Sequence, residues 1–200
     1  MKRAGLFRLL LILLATAALM KGGYIHAKAA LAQTLLQAAW SKSIATGQAQ
    51  KPWPWADTRV AARLEVPARN IDLIVLEGGS GEAMAFGPAL LDSETLPTDG
   101  PRLLGGHRDT HLQFVADLAP DQTIAYTTLA GETRHYHLAK TLIADSRKEK
   151  LQVDPGMDAL ILMTCYPFDA LLAGGPLRYV AIAEPIETAA TSQQSIRSVE

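Results

Sequence analysis

The chain has 200 residues and a mass of 21.5 kDa, which suits one domain of about 100–200 residues with an appendage and excludes two full domains. Hydrophobic residues at 48% and charged residues at 20% exclude general disorder and a polytopic membrane protein. Lys plus Arg total 19 against 20 for Asp plus Glu, a formal charge of −1, so no basic field argues for nucleic acid. A single cysteine, Cys165, excludes an internal disulfide and any multi-cysteine metal site.

The N-terminus places Lys2, Arg3 and Arg8 ahead of an unbroken apolar run from Leu9 to Met20. A free-standing transmembrane helix needs ~20 apolar residues. Leu6 and Phe7 extend the run, and Arg8 and Lys21 can snorkel to the two interfaces. Residues 1–23 therefore read as a membrane anchor or a signal, the uncleaved anchor being favoured and Ala27-Lys28-Ala29 offering a formal cleavage match. In either case the remainder lies outside the cytoplasm, since the leading basic residues hold the N-terminus inside. From Tyr24 to about Thr46, Ala27, Leu31, Leu35 and Ala38 recur at helical spacing, predicting a helical linker over 24–50. Lys51-Pro52-Trp53-Pro54-Trp55 is expected to stop that helix and open the folded domain, 51–186, with the two tryptophans capping a small core or latching its surface.

Short β-like runs follow, separated by Gly, Pro and Asp: Val60–Val66, Ile71–Leu76, Arg102–Gly106, Thr123–Thr128, Arg134–Ala144, Ala159–Cys165 and Leu177–Ala183. Ala159 to Met163 is continuously apolar and is expected to be buried on both faces, whereas His135 and His137 share a half-exposed strand face. Together these predict an all-β barrel or sandwich. Gly78 to Gly100, about twenty residues without periodicity, reads as a long connection that could form a substrate wall. Residues 187–200, rich in Ser, Thr and Gln, read as a polar C-terminal tail.

Cys165 ends its strand in Met163-Thr164-Cys165-Tyr166-Pro167, where the proline directs the chain out of the sheet and the thiol toward a cleft. A cysteine nucleophile attacks as thiolate and needs a histidine or cation to assist it. His107 follows two glycines at the end of a predicted strand, and Arg178 opens the last strand thirteen residues after Cys165, where a hairpin can set it beside the thiol. A strand arginine so placed can donate to an oxyanion. His107 and His111, four residues apart, also have the spacing of a metal pair with Asp109 or Cys165 as a further ligand; in the non-enzymatic form of this alternative, a metal-binding module, the cysteine is merely buried.

The strings around these residues resemble the sortase family of cysteine transpeptidases: Gly106-His107-Arg108-Asp109-Thr110 running on to Phe114 and Asp117-Leu118, then Leu162-Met163-Thr164-Cys165, then Gly175-Pro176-Leu177-Arg178-Tyr179. The resemblance covers roughly Val60 to Ala183. Lys51 to Asp57 (KPWPWAD) and Thr164 to Phe168 (TCYPF) resemble the marine proteobacterial branch of single-anchor, class D/E-like sortases. This chain departs from the family pattern at Ile161, where a Thr is usual, and at Gly87-Pro88-Ala89-Leu90, where relatives often carry Gly-Pro-Gly-His.

The resemblance implies an eight-stranded β-barrel with short helices, tethered to the cytoplasmic membrane and facing the periplasm. It implies a thiol peptidase and transpeptidase that cleaves a C-terminal sorting signal of a secreted protein through a thioester on Cys165 and transfers it to an amine acceptor. Arg178 would stabilise the oxyanion, His107 would act as acid and base, and Thr164 would position the substrate backbone. This chemistry requires no metal or organic cofactor, although the acidic segment from Asp145 to Asp158 has ligands for weak calcium binding. An L,D-transpeptidase acting on peptidoglycan stem peptides shares Cys, His and Arg, but such enzymes tend to place Ser-x-Gly-Cys at the nucleophile, which Met163-Thr164-Cys165 lacks.

Overall fold

The computed structural model describes residues 2–91, 100–149, 151, 154–170, 172 and 174–186; the C-terminal tail and part of the long connection expected after Gly78 lie outside these. Helix α1 (Lys2–Thr46) runs through both N-terminal segments without a break, because no proline interrupts it and Gly22 and Gly23 cost only about 1 kcal/mol each in helix propensity. Its apolar side chains from Leu9 to Leu14, with Leu19 and Met20, stand exposed, so this half of the helix is long and apolar enough to cross a membrane. The helix ends at Thr46, where its periodicity is expected to end, ahead of the proline segment. Gly47 takes a left-handed φ of +66° just past the last turn, the conformation that terminates helices and that glycine adopts without a Cβ penalty.

Eight strands form a closed barrel: β1 (Val60–Val66), β2 (Ile71–Glu77), β3 (Ala89–Leu91), β4 (Arg102–Gly105), β5 (Thr123–Thr128), β6 (Thr133–Asp145), β7 (Leu160–Cys165) and β8 (Leu177–Pro185). Around the barrel the order is β1-β2-β3-β4-β7-β8-β6-β5, closed by β1 pairing with β5. Six pairings are antiparallel; β2–β3 and β4–β7 are parallel. Strand alternation separates two apolar layers. Leu64, Leu104, Leu160, Leu162 and Ala181 point into the barrel, while Ile161, Val180 and Leu103 pack outside it against Leu91, Met157 and Met163. β7 is therefore apolar on both faces, as its continuous run predicts, and His135 is exposed while His137 is partly so. At the start of β7, Asp158 accepts from Arg134 at 2.8 Å and from the Tyr136 hydroxyl at 3.0 Å, tying β6 to the strand that ends in the cysteine. Burial pushes the nearby Tyr126 phenol up to about 12 against the opposing pull of Arg102, whose guanidinium lies 5.4 Å from its ring centre.

Two elements lie in the stretch that reads as structureless. Ser80 caps the short helix α2 (Gly81–Phe86), its Oγ accepting from the Ala83 amide at 3.0 Å while its hydroxyl donates to Asp57 at 2.9 Å. Strand β3 follows at once. A third apolar cluster, Leu36, Ala39 and Trp40 of α1 against Val60, Ile74, Leu76 and Ala83, packs the C-terminal half of α1 on the barrel. Trp53 caps this region with its ring edge-on to Phe86, centroids 4.9 Å apart, but Trp55 caps nothing and is 80% exposed.

Candidate active site

Parallel pairing of β4 with β7 brings both strands to the same rim. Gly105 lies opposite Met163, so the register carried two residues further sets His107 abreast of Cys165. Two bonds extend the match past the strand end: the Gly106 amide donates to the Met163 carbonyl at 3.2 Å, and the Thr164 hydroxyl donates to the Gly106 carbonyl at 2.8 Å. Thr164 is 2% exposed and holds the two rim segments together. Packing disfavours a side chain at either glycine, more so at Gly106. A Cβ at Gly106 would lie 2.9 Å from Leu112 Cγ, and one at Gly105 2.8 Å from Leu91 Cδ1.

β8 runs antiparallel to β7 and enters the rim from outside. Its Arg178 is the register partner of Cys165. The Tyr166 amide donates to the Leu177 carbonyl at 3.0 Å, which makes Cys165 and Arg178 the neighbouring non-hydrogen-bonded pair, where Cα atoms approach to about 4.5 Å and side chains are closest. Both side chains follow the outer alternation of Met163 and Val180. Arg178 Nη1 donates to the carbonyls of Gly175 and Leu177 at 2.7 and 2.9 Å; its Nη2 and Nε have no bond among the described residues. Cys165, Arg178, His107 and Thr164 share a cleft of about 260 Å³, walled on one side by Gly79, Met84 and Leu91. Part of the long connection thus lines the cleft that holds Cys165. His107 and Cys165 also border a smaller cleft of about 140 Å³ with Arg108, Asp109 and Gly174.

The metal-binding alternative requires His107, His111 and an acidic or thiol ligand to converge, and among the described residues no group of three such side chains does so. His111 instead turns to α2, its Nε2 lying 3.4 Å from the Ala85 carbonyl. Burial holds its imidazole below the usual 6.5, the Ala85 contact works the other way, and the neighbouring His107 lowers it further.

Arg108 has a role that the sequence alone did not reveal. It is 8% exposed, and its Nη2 donates at 2.8 Å to the carbonyls of both Ala170 and Leu172, fastening the β7–β8 loop to the residue that follows His107. Its Nη1 is buried without a partner among the described residues. Tyr166, Phe168 and Tyr179 secure the other side of the loop, with Phe168 and Tyr179 centroids 5.1 Å apart. A charged residue next to a histidine reads as solvated. Only the position of the loop carbonyls shows otherwise.

A closed barrel with a cysteine, a histidine and an arginine meeting at one rim defines the class of this protein. The sortase-domain family profile matches residues 64–186, more than half of the chain, and the chain belongs to the sortase family, whose members are cysteine transpeptidases. Its fold is similar to that of sortase A from Corynebacterium diphtheriae (TM-score 0.57, 22% identity), over 70% of this chain and 66% of that one, just under two thirds of the latter. A lid mutant of the same enzyme aligns over 82% of this chain and 98% of its own (TM-score 0.56, 20% identity). Sortase C-1 from Actinomyces oris aligns over 64% and 73% respectively (TM-score 0.54, 21% identity). No curated protein matches the chain in sequence.

Two outcomes test this geometry. In Arg108→Ala, hydrogen exchange over residues 168–176 should rise on the order of tenfold or more, as expected for loss of bonds from a charged donor worth ~1.5–3 kcal/mol, while β1 and β2 exchange as before. For His111, a folded-state value below the unfolded one means that its contribution to stability is present above about pH 6.5 and is lost as the pH falls. The Tm of the wild type should therefore drop more than that of His111→Gln between pH 7.5 and 5; parallel curves would show that the imidazole titrates as it does in the unfolded chain.

Proposed function

We propose that the chain is a membrane-anchored sortase of the marine proteobacterial single-anchor, class D/E-like type, with α1 crossing the cytoplasmic membrane and the barrel on the periplasmic side. The observation that carries the catalytic reading is the convergence of Cys165, His107 and Arg178 on one cleft. The KPWPWAD and TCYPF segments support the subtype, and the exposed apolar half of α1 supports the anchor.

In this mechanism the Cys165 thiolate adds to the carbonyl carbon of the scissile peptide of a C-terminal sorting signal. The carbonyl oxygen gains the negative charge, and Arg178 meets it with the Nε and Nη2 donors that its bonds to Gly175 and Leu177 leave over. Protonated His107 gives its proton to the departing amine, the C–N bond breaks, and a thioester remains on Cys165. An acceptor amine then adds to the thioester carbonyl and yields its proton to His107, and the thiolate leaves as the new amide forms. Water in place of the amine gives hydrolysis. Thr164 acts through Gly106, its buried hydroxyl holding the histidine segment against the cysteine strand along which the substrate backbone lies. The proposed reaction is amide exchange and uses only groups of this chain and its two substrates.

Full-length protein in detergent, incubated with a sorting-signal peptide and an amine, should show an acyl adduct on Cys165 by intact mass spectrometry. The adduct should be absent in Cys165→Ala and should resolve to an amide product. Arg178→Lys should slow acylation on the order of 10²-fold, the usual cost of losing one oxyanion donor. Product formation by Cys165→Ala, or an adduct on another residue, would contradict the reading.

A further inference from the structure

A second groove lies on the opposite flank of α2 from the thiol cleft. Lys28, Leu31 and Leu35 of α1 form one wall, spaced so as to share a face, and Trp53, Trp55 and Glu82 form the other, enclosing about 170 Å³. Its walls are fixed in place. Gln33 Nε2 donates to the Phe86 carbonyl at 3.0 Å, Lys51 Nζ donates to the Ala56 carbonyl at 2.8 Å, and Leu36 and Trp40 are buried one turn further along α1. Its mouth is nonetheless apolar and open: Trp55 is 80% exposed and Leu31 is 59% exposed.

The height of this groove above the membrane follows from helix geometry. With Leu9–Met20 centred in a hydrocarbon layer ~30 Å thick, a rise of ~1.5 Å per residue brings α1 out near Tyr24. Lys28 then stands ~5 Å beyond the hydrocarbon and Leu31 ~10 Å, in and just above a headgroup layer ~5–8 Å deep. Indole rings concentrate at that depth, where their apolar body and N–H donor are both satisfied. The groove also carries one charge of each sign, Lys28 and Glu82, and neither forms an ion pair among the described residues. That pattern complements a headgroup bearing both phosphate and ammonium, and it disfavours a purely anionic one.

We propose that this groove seats a zwitterionic phospholipid headgroup of the membrane that α1 crosses, with the phosphate at Lys28, the ammonium at Glu82 and Trp55 lying in the interface. The inference rests on the membrane-anchored reading above. The same short helix borders both cavities, since α2 contributes Glu82 and Phe86 to this groove and Met84 to the cleft of Cys165.

The test uses the full chain in phosphatidylcholine–phosphatidylethanolamine vesicles, with tryptophan emission quenched by nitroxides placed at the headgroup or deep in the acyl chains. Headgroup nitroxide should quench strongly and the deep label weakly, and Trp55→Ser, a change at an exposed side chain, should remove most of the headgroup quenching. Lys28→Glu and Glu82→Lys should each weaken it at least twofold, and pure phosphatidylglycerol vesicles should give less quenching than the zwitterionic ones. If the chain floats with vesicles but Trp55 is quenched by aqueous iodide and not by headgroup nitroxide, the groove proposal fails and the anchor stands. Equal quenching in phosphatidylglycerol and in both charge variants overturns the headgroup assignment. A chain that does not float overturns both readings.

Discussion

The parallel pairing of β4 with β7 is the constraint on which the site depends. In an antiparallel barrel, neighbouring strands end at opposite rims. Two parallel neighbours end at the same rim, so the residue after β4 and the last residue of β7 arrive together. β8, antiparallel to β7, begins where β7 ends, and its second residue is an arginine. His107, Cys165 and Arg178 are 58 positions and then 13 positions apart in the chain, yet the register of three adjacent strands sets them side by side. Parallel pairing of strands far apart in sequence is costly in loop-closure entropy, and the apolar layers on both faces of β7 offset that cost.

Backbone register brings the groups near one another, and a few side chains fix the remainder. Thr164 links the cysteine strand to Gly106, where any larger residue would press on Leu112. Arg108 holds the β7–β8 loop from below, while the Tyr166, Phe168 and Tyr179 rings pack it from the side. The loop returns the favour through Gly175, whose carbonyl receives Arg178 Nη1. Each hydrogen bond contributes about 1 kcal/mol net, too little to direct folding, but together they decide where a guanidinium and an imidazole stand relative to a sulfur.

Much of this was legible in the sequence for physical reasons. Seven strands announced themselves through alternation or continuous apolar runs bounded by Gly, Pro and Asp, and their observed limits differ by a residue or two. β3 did not, because three residues are too short for any periodicity to register. α2, at six residues, is likewise short, and its one sequence signal is Ser80 with Glu82 two residues later, a helix start. The helical spacing runs to about Thr46, where α1 ends; the residue that terminates it is Gly47 and not Pro52, since a left-handed residue ends a helix without any help from proline. The cysteine, histidine and arginine were each ambiguous alone and became specific through the strings around them. The contacts of Arg108 and His111 were illegible in principle: a buried arginine and a histidine turned to a carbonyl differ from solvated ones only through elements more than twenty residues away.

The central claim is that rim geometry imposed by β4 and β7, and not merely the presence of three reactive residues, sets the rate of acyl transfer. Single-turnover acylation by Thr164→Val tests it most directly, because that change removes the link to Gly106 and leaves Cys165, His107 and Arg178 intact. The account predicts a fall of about tenfold or more, for loss of a buried hydrogen bond worth ~1 kcal/mol with the misplacement that follows, in a protein that still folds and whose thiol still alkylates. Acylation at the wild-type rate would contradict it.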